Sequence, residues 1–148
     1  MTSPATPPLL KNLNERTVLE TIRSGAPISR AEISRRAGIS KPTVSVALQS
    51  LLDVGLVRST EPEGDGPRYG ATFFEPVAEA AGVLGLDLGA RFLRGGLCDL
   101  SGAVRARHDV ELAGADSRRV FDAAAGLTER LLEQSGLPAE RIGSAVVG

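Results

Sequence analysis

Between residues 29 and 49 the chain carries a concentration of small hydroxyl, amide and cationic side chains, with one proline, Pro42, among them: Ser29, Arg30, Arg35, Arg36, Ser40, Lys41, Thr43, Ser45 and Gln49. None of these types, at these spacings, sets up nucleophilic or acid–base catalysis. They are suited to recognition instead. Hydroxyls and an amide can bond the edges of nucleic-acid bases, a threonine methyl can meet the methyl of thymine, and arginines can pair with phosphate. In the stretch SRAEISRRAGISKPTVSVALQSLLDVGLV the second group crowds the start of one segment, and no further basic residue follows until Arg58.

The elements that must hold these groups are legible nearby. Asn12 to Arg23 has apolar residues at helical spacing and is stopped by Gly25 and Pro27. Ser29 followed by Glu32 spells a reciprocal capping box for a second helix that ends at Gly38. Ser40 is an N-cap for a third helix, with Pro42 in its first turn and Val44, Leu48, Leu51 and Leu52 as its buried stripe. Two helices joined by a short glycine-containing turn make a helix-turn-helix, whose second helix enters the major groove by its N-terminal residues. Its free N–H groups and partial positive charge also favour phosphate. Leu56 to Thr60 and Ala71 to Phe74 read as the two strands of a hairpin, a wing whose tip brings Arg68 within reach of a minor groove. The bland alternative is a capped helix pair with solvated charges and a flexible turn, and the acids Glu61, Glu63 and Asp65 beside Arg68 oppose phosphate contact.

Bulk properties agree with a division of labour. The 148 residues carry a formal charge of -1, yet residues 10–58 hold eight basic against four acidic groups, leaving the remainder net acidic. Such asymmetry fits one part meeting a polyanion. One cysteine, Cys98, cannot form a disulfide within the chain, and with the single His108 it cannot build a four-ligand zinc site. Cys98 reads as a small core residue and His108 as a solvated or paired one. No signal peptide or membrane-length apolar run is present, so a cytoplasmic chain with no membrane partner and no cofactor is expected.

Beyond residue 76 the pattern changes. Residues 82–87, 91–100 and 103–112 are strand candidates, 117–134 is helical, and 141–148 begins another strand. The expected organisation is therefore a disordered lead-in over 1–9, a winged helix-turn-helix over 10–76, and an incomplete domain over 77–148. A β-β-β-α-β order leaves one face and the edges of a sheet uncovered, which reads as a fragment or truncated product of something longer.

With these motifs in view, the sequence resembles the repressor branch of the ROK family (repressors, open reading frames and kinases). The first motif is SRAEI–RRAGISKPTVS–L–GLV; the second is VLGLDLGARFLRGGLCDLSGAV. The resemblance implies an α+β chain: a winged helix-turn-helix followed by the opening β-β-β-α-β portion of an actin-like (ribonuclease H-like) ATPase or sugar-kinase fold. It further implies a DNA-binding regulator, a repressor of carbohydrate-related genes acting on a double-stranded operator. A sugar or sugar-phosphate effector and a homodimer or higher oligomer would belong to a longer chain. In kinase members the stretch matching residues 85–92 is usually GIDIGGTK, which binds ATP phosphates; here Asp87 and Gly89 match, while Ala90, Arg91 and Phe92 replace the small turn. The alternative of a sugar kinase with an N-terminal extension rests on that pair, and the family's catalytic aspartate would lie beyond Gly148.

Overall fold

A helix starting at two consecutive prolines, Pro7 and Pro8, opens the structure, a computed structural model that describes residues 7–61, 70–112, 114 and 116–148. Proline is tolerated there because the first N–H groups of a helix have no partner within it. This helix, α1 (Pro7–Gly25), begins five residues before the sequence expectation, so residues 7–9 are helical rather than lead-in; residues 1–6 lie outside the described residues. A two-residue strand β1 (Ile28–Ser29), α2 (Arg30–Ala37), α3 (Lys41–Asp53), β2 (Val57–Thr60) and β3 (Phe73–Pro76) complete the first unit, residues 1–77.

The hairpin expected from sequence is one part of a three-stranded antiparallel sheet ordered β1-β3-β2, with Ile28 opposite Phe74 and Ser59 opposite Phe74 on its other side. The returning strand runs two residues later than expected. The physical reason is burial: Phe74 lies in the core at 3% exposure and fixes the register, while Ala71 and Thr72 stay exposed. β1 is too short to show any periodicity. Its Ile28 joins Val18, Ile22, Ile33, Val44, Leu48, Leu51 and Val57 in one apolar cluster that locks the three helices onto the sheet.

The second unit, residues 78–148, opens with a single 3-10 turn (Ala78–Ala80) and then runs β4 (Gly82–Leu88), β5 (Phe92–Asp99), β6 (Val104–Glu111), α4 (Ser117–Ser135), a second 3-10 turn (Ala139–Arg141) and β7 (Ile142–Val147). The sheet order is β6-β5-β4-β7, antiparallel except that β7 joins β4 in parallel. Parallel pairing is what the intervening helix allows, since it carries the chain back across the sheet. On β5 the residues Leu93, Gly95, Leu97 and Asp99 are buried, alternating with more exposed neighbours. Gly95 is required there: a Cβ would lie 2.7 Å from Leu131 Cδ1 and 2.9 Å from Leu127 Cδ2 of α4. Cys98 falls in the opposite alternation, half-buried on the face away from α4, so it is not the core residue that sequence suggested. His108 on β6 meets Arg130 of α4, Nε2 to Nη1, at 2.6 Å. No helix among the described residues is long and apolar enough to cross a membrane.

Candidate nucleic-acid interface

The turn between α2 and α3 is tightly specified. Ser29 caps α2, its Oγ accepting from the Glu32 N–H at 3.3 Å. Gly38 ends the helix in the left-handed region (φ 67°), which favours glycine, and the Ser34 hydroxyl donates to the Ile39 carbonyl at 2.6 Å. Ser40 then caps α3: its Oγ accepts from the Thr43 N–H at 3.4 Å and lies 2.8 Å from Thr43 Oγ1. Pro42 sits in the first turn, where no helix bond is lost. The burial of Val44, Ala47, Leu48 and Leu51 fixes which face of α3 turns outward.

That outward face carries Lys41, Pro42, Val46, Gln49 and Asp53, all exposed, with Thr43 and Ser45 half-buried at its margin. Several of its polar atoms already have partners. Ser45 Oγ donates to the Lys41 carbonyl at 3.0 Å, and Gln49 Nε2 donates to Asp53 Oδ1 at 2.7 Å. Lys41 has no ion pair among the described residues. Val46, 63% exposed at the centre of this face, is not among the residues that the sequence singles out. The available signal was the helical period: position 46 falls off the stripe of 44, 48 and 51.

The arginines of α2 differ from one another. Arg30 is exposed at the first position of the helix. Arg35 and Arg36 both bind Glu32: Arg35 Nε at 2.9 Å and through Nη2, Arg36 Nε at 2.6 Å. The carboxylate therefore does not complete the reciprocal capping box expected from sequence; two guanidiniums outcompete a single backbone N–H. Hydrogen bonds from Arg35 and then Arg36 lower the Glu32 pKa from 4.5 to about 2. Arg36 turns toward α1, lining a cleft of about 450 Å³ with Arg16, Glu20 and Ser24. A Cβ on Gly25 would stand 2.5 Å from its Nη1, so Gly25 makes the room it occupies. Arg35, with a side chain 73% exposed, keeps an outward position. Arg68 and the wing tip lie outside the described residues.

In the second unit Asp87 and Gly89 are brought together at the end of β4. The Asp87 carboxylate accepts from Arg94 Nη1 at 3.4 Å, and the Gly89 N–H donates to the Phe92 carbonyl at 2.9 Å. Arg91 and Arg94 stand 5.7 and 5.9 Å from the centroid of the Phe92 ring, and Arg91 also pairs with Glu111 at 3.1 Å. Among the described residues no three His, Cys, Asp or Glu side chains converge as a metal site requires.

Residues 12–66 match the model of the MarR family. The xylose repressor of Bacillus spizizenii is 32% identical over 100 residues, covering 64% of this chain and 25% of that protein. The xylose repressor of Bacillus subtilis is 31% identical over the same coverage. An uncharacterized protein of Sinorhizobium fredii is 26% identical over 121 residues, 82% of this chain and 31% of that one. Among solved structures, a ROK family transcriptional regulator, a homolog of the E. coli MLC protein, superposes with a TM-score of 0.65 at 20% identity, covering 93% of this chain and 35% of that one. That likeness fixes the fold: a winged helix-turn-helix followed by the first strands and helix of the domain that such regulators carry. The chain spans about a quarter of the length of the xylose repressors it matches.

Proposed function

We propose, from the ROK-family regulator with a MarR-like winged helix that these similarities support, that the chain is the DNA-reading part of a transcriptional repressor of carbohydrate-related genes. The observation that carries this reading is the outward face of α3. It is polar at its N-terminal end, capped by Ser40 and held by a buried stripe, with α2 set before it across a fixed turn. Ser40, Lys41, Pro42, Thr43, Ser45 and Gln49 meet the bases or the adjoining backbone, while Ser29, Arg30, Arg35 and Arg36 set α2 against phosphate. Arg68, from the wing, enters a minor groove.

Control by a sugar or sugar phosphate belongs, in this reading, to the part of such regulators outside the span matched here. So does assembly into a dimer that places two recognition helices about one helical turn, ~34 Å, apart. The contacts of the second unit do not favour the kinase alternative: the Gly89 N–H donates to the Phe92 carbonyl, and the exposed Asp87 carboxylate accepts from Arg94 at 3.4 Å. Asp87 and Gly89 serve as the end of a strand and its turn.

The test is selection of duplexes from a random pool by the purified chain at moderate salt, with sequencing of the bound fraction. Enrichment of a short motif supports the reading, and paired inverted half-sites add a dimer. Binding without enrichment removes sequence recognition from this chain. Added ATP and magnesium should leave its melting temperature unchanged; a rise would revive the kinase.

A further inference from the structure

The side chains that read sequence on α3 need not be the hydroxyls that draw attention in the sequence. Thr43 Oγ1 lies against Ser40 Oγ, and Ser45 Oγ is turned back onto the Lys41 carbonyl, so each hydroxyl already has one partner within the helix. Val46 is different. It is the one aliphatic residue of α3 placed on the exposed face, between Pro42 one turn before and Gln49 one turn after, and the residue is 63% exposed.

A valine there has no helix-forming advantage, since β-branched residues are mediocre helix formers, and it makes no core contact that would explain it. In a major groove an exposed branched apolar group has one complementary feature, the 5-methyl of thymine. Resting on the DNA-binding reading above, we propose that Val46 is a specificity-determining residue that packs against the methyl group of a thymine beside the base pair met by Gln49. Gln49 suits that neighbour. Its amide is steadied by Asp53, yet it retains a free carbonyl oxygen and a second N–H, the acceptor and donor that adenine requires.

The experiment starts from the duplex enriched by selection and replaces each thymine in turn with deoxyuridine, which removes only the methyl group. The purified chain should lose about fourfold in affinity at one thymine, the value of one buried methyl group. Val46→Ala should bind the parent duplex more weakly by a similar factor and be indifferent to deoxyuridine at that same position. Val46→Thr, which keeps the branched shape and one of the two methyls, should fall between them and serves as the check that the helix is intact. If no deoxyuridine matters, or if Val46→Ala remains sensitive at the same thymine, the assignment of Val46 is overturned while the DNA-binding reading stands. If the pool shows no enrichment at all, sequence recognition by this chain falls, and the assignment of Val46 with it.

Discussion

At the residue scale the electrostatics of α2 turn on Glu32. One carboxylate holds two guanidiniums, so the cluster of Glu32, Arg35 and Arg36 presents a net charge of one rather than two. A free arginine contacting phosphate changes the salt slope of binding by about one unit. On the proposed reading Arg35 exchanges Glu32 for phosphate, so Arg35→Ala should flatten the slope by less than that. Glu32→Gln should tighten binding at low salt and steepen the slope, and Arg35→Ala made in that background should then remove about one full unit. Fluorescence anisotropy with a duplex of arbitrary sequence, titrated across salt, reads all three. An equal effect of Arg35→Ala in both backgrounds would show that Glu32 does not compete for it. Arg36 should matter less to the slope, because it is turned into the cleft beside α1.

At the scale of elements, the β5–β6 turn is held by a buried carboxylate. Asp99 is enclosed, its side chain 2% exposed, and accepts from Ser101 N at 2.9 Å, Ser101 Oγ at 2.6 Å, Ala103 N at 3.1 Å and Arg105 Nε at 2.6 Å. Arg105 reaches on to Glu79 at 2.9 Å, and the Leu100 N–H donates to the Ala78 carbonyl at 3.1 Å, so the turn also fastens the chain entering the second unit. Burial opposes the charge on Asp99, but the bonds from Ser101, Arg105 and Ala103 outweigh it and hold the pKa below its ordinary value. Asp99→Ala should cost about 2–3 kcal/mol, the low end for a broken buried pair because Arg105 stays a third exposed and can rehydrate. A urea melt of the purified chain measures it. A cost under about 0.5 kcal/mol would mean that water replaces the network.

At the scale of the whole molecule, acid sensitivity follows from the same carboxylates. Glu32 has its folded pKa depressed, so its contribution to stability is complete at neutral pH and is lost as pH falls from about 4.5 through about 2. Asp99 acts in the same direction. Thermal melts between pH 7 and pH 2 should therefore show stability falling only in the lower part of that range, and Glu32→Gln should lose part of that dependence. A variant whose profile matches the parent would show that the Glu32 ion pairs add nothing to the fold, as is common for exposed pairs.

Much of the first unit was legible because its signals are local. Capping residues, a glycine between two helices and a 3.6-residue apolar period are written in consecutive residues, and they set α2, α3 and the outward face of α3. The order of strands and helix in the second unit was legible for the same reason. What the sequence could not decide depends on groups that meet through space. β1 exists only because Ile28 and Ser29 find β3 some forty-five residues later. The Glu32 carboxylate goes to Arg35 and Arg36 rather than to the backbone because three flexible side chains settle together on one helix face. Gly95 reads as a weak strand residue until α4 is laid against it, when the absence of a side chain becomes the condition for packing. Val46, an ordinary valine in the sequence, becomes a candidate reader of bases only when tertiary burial of Val44, Leu48 and Leu51 turns it outward.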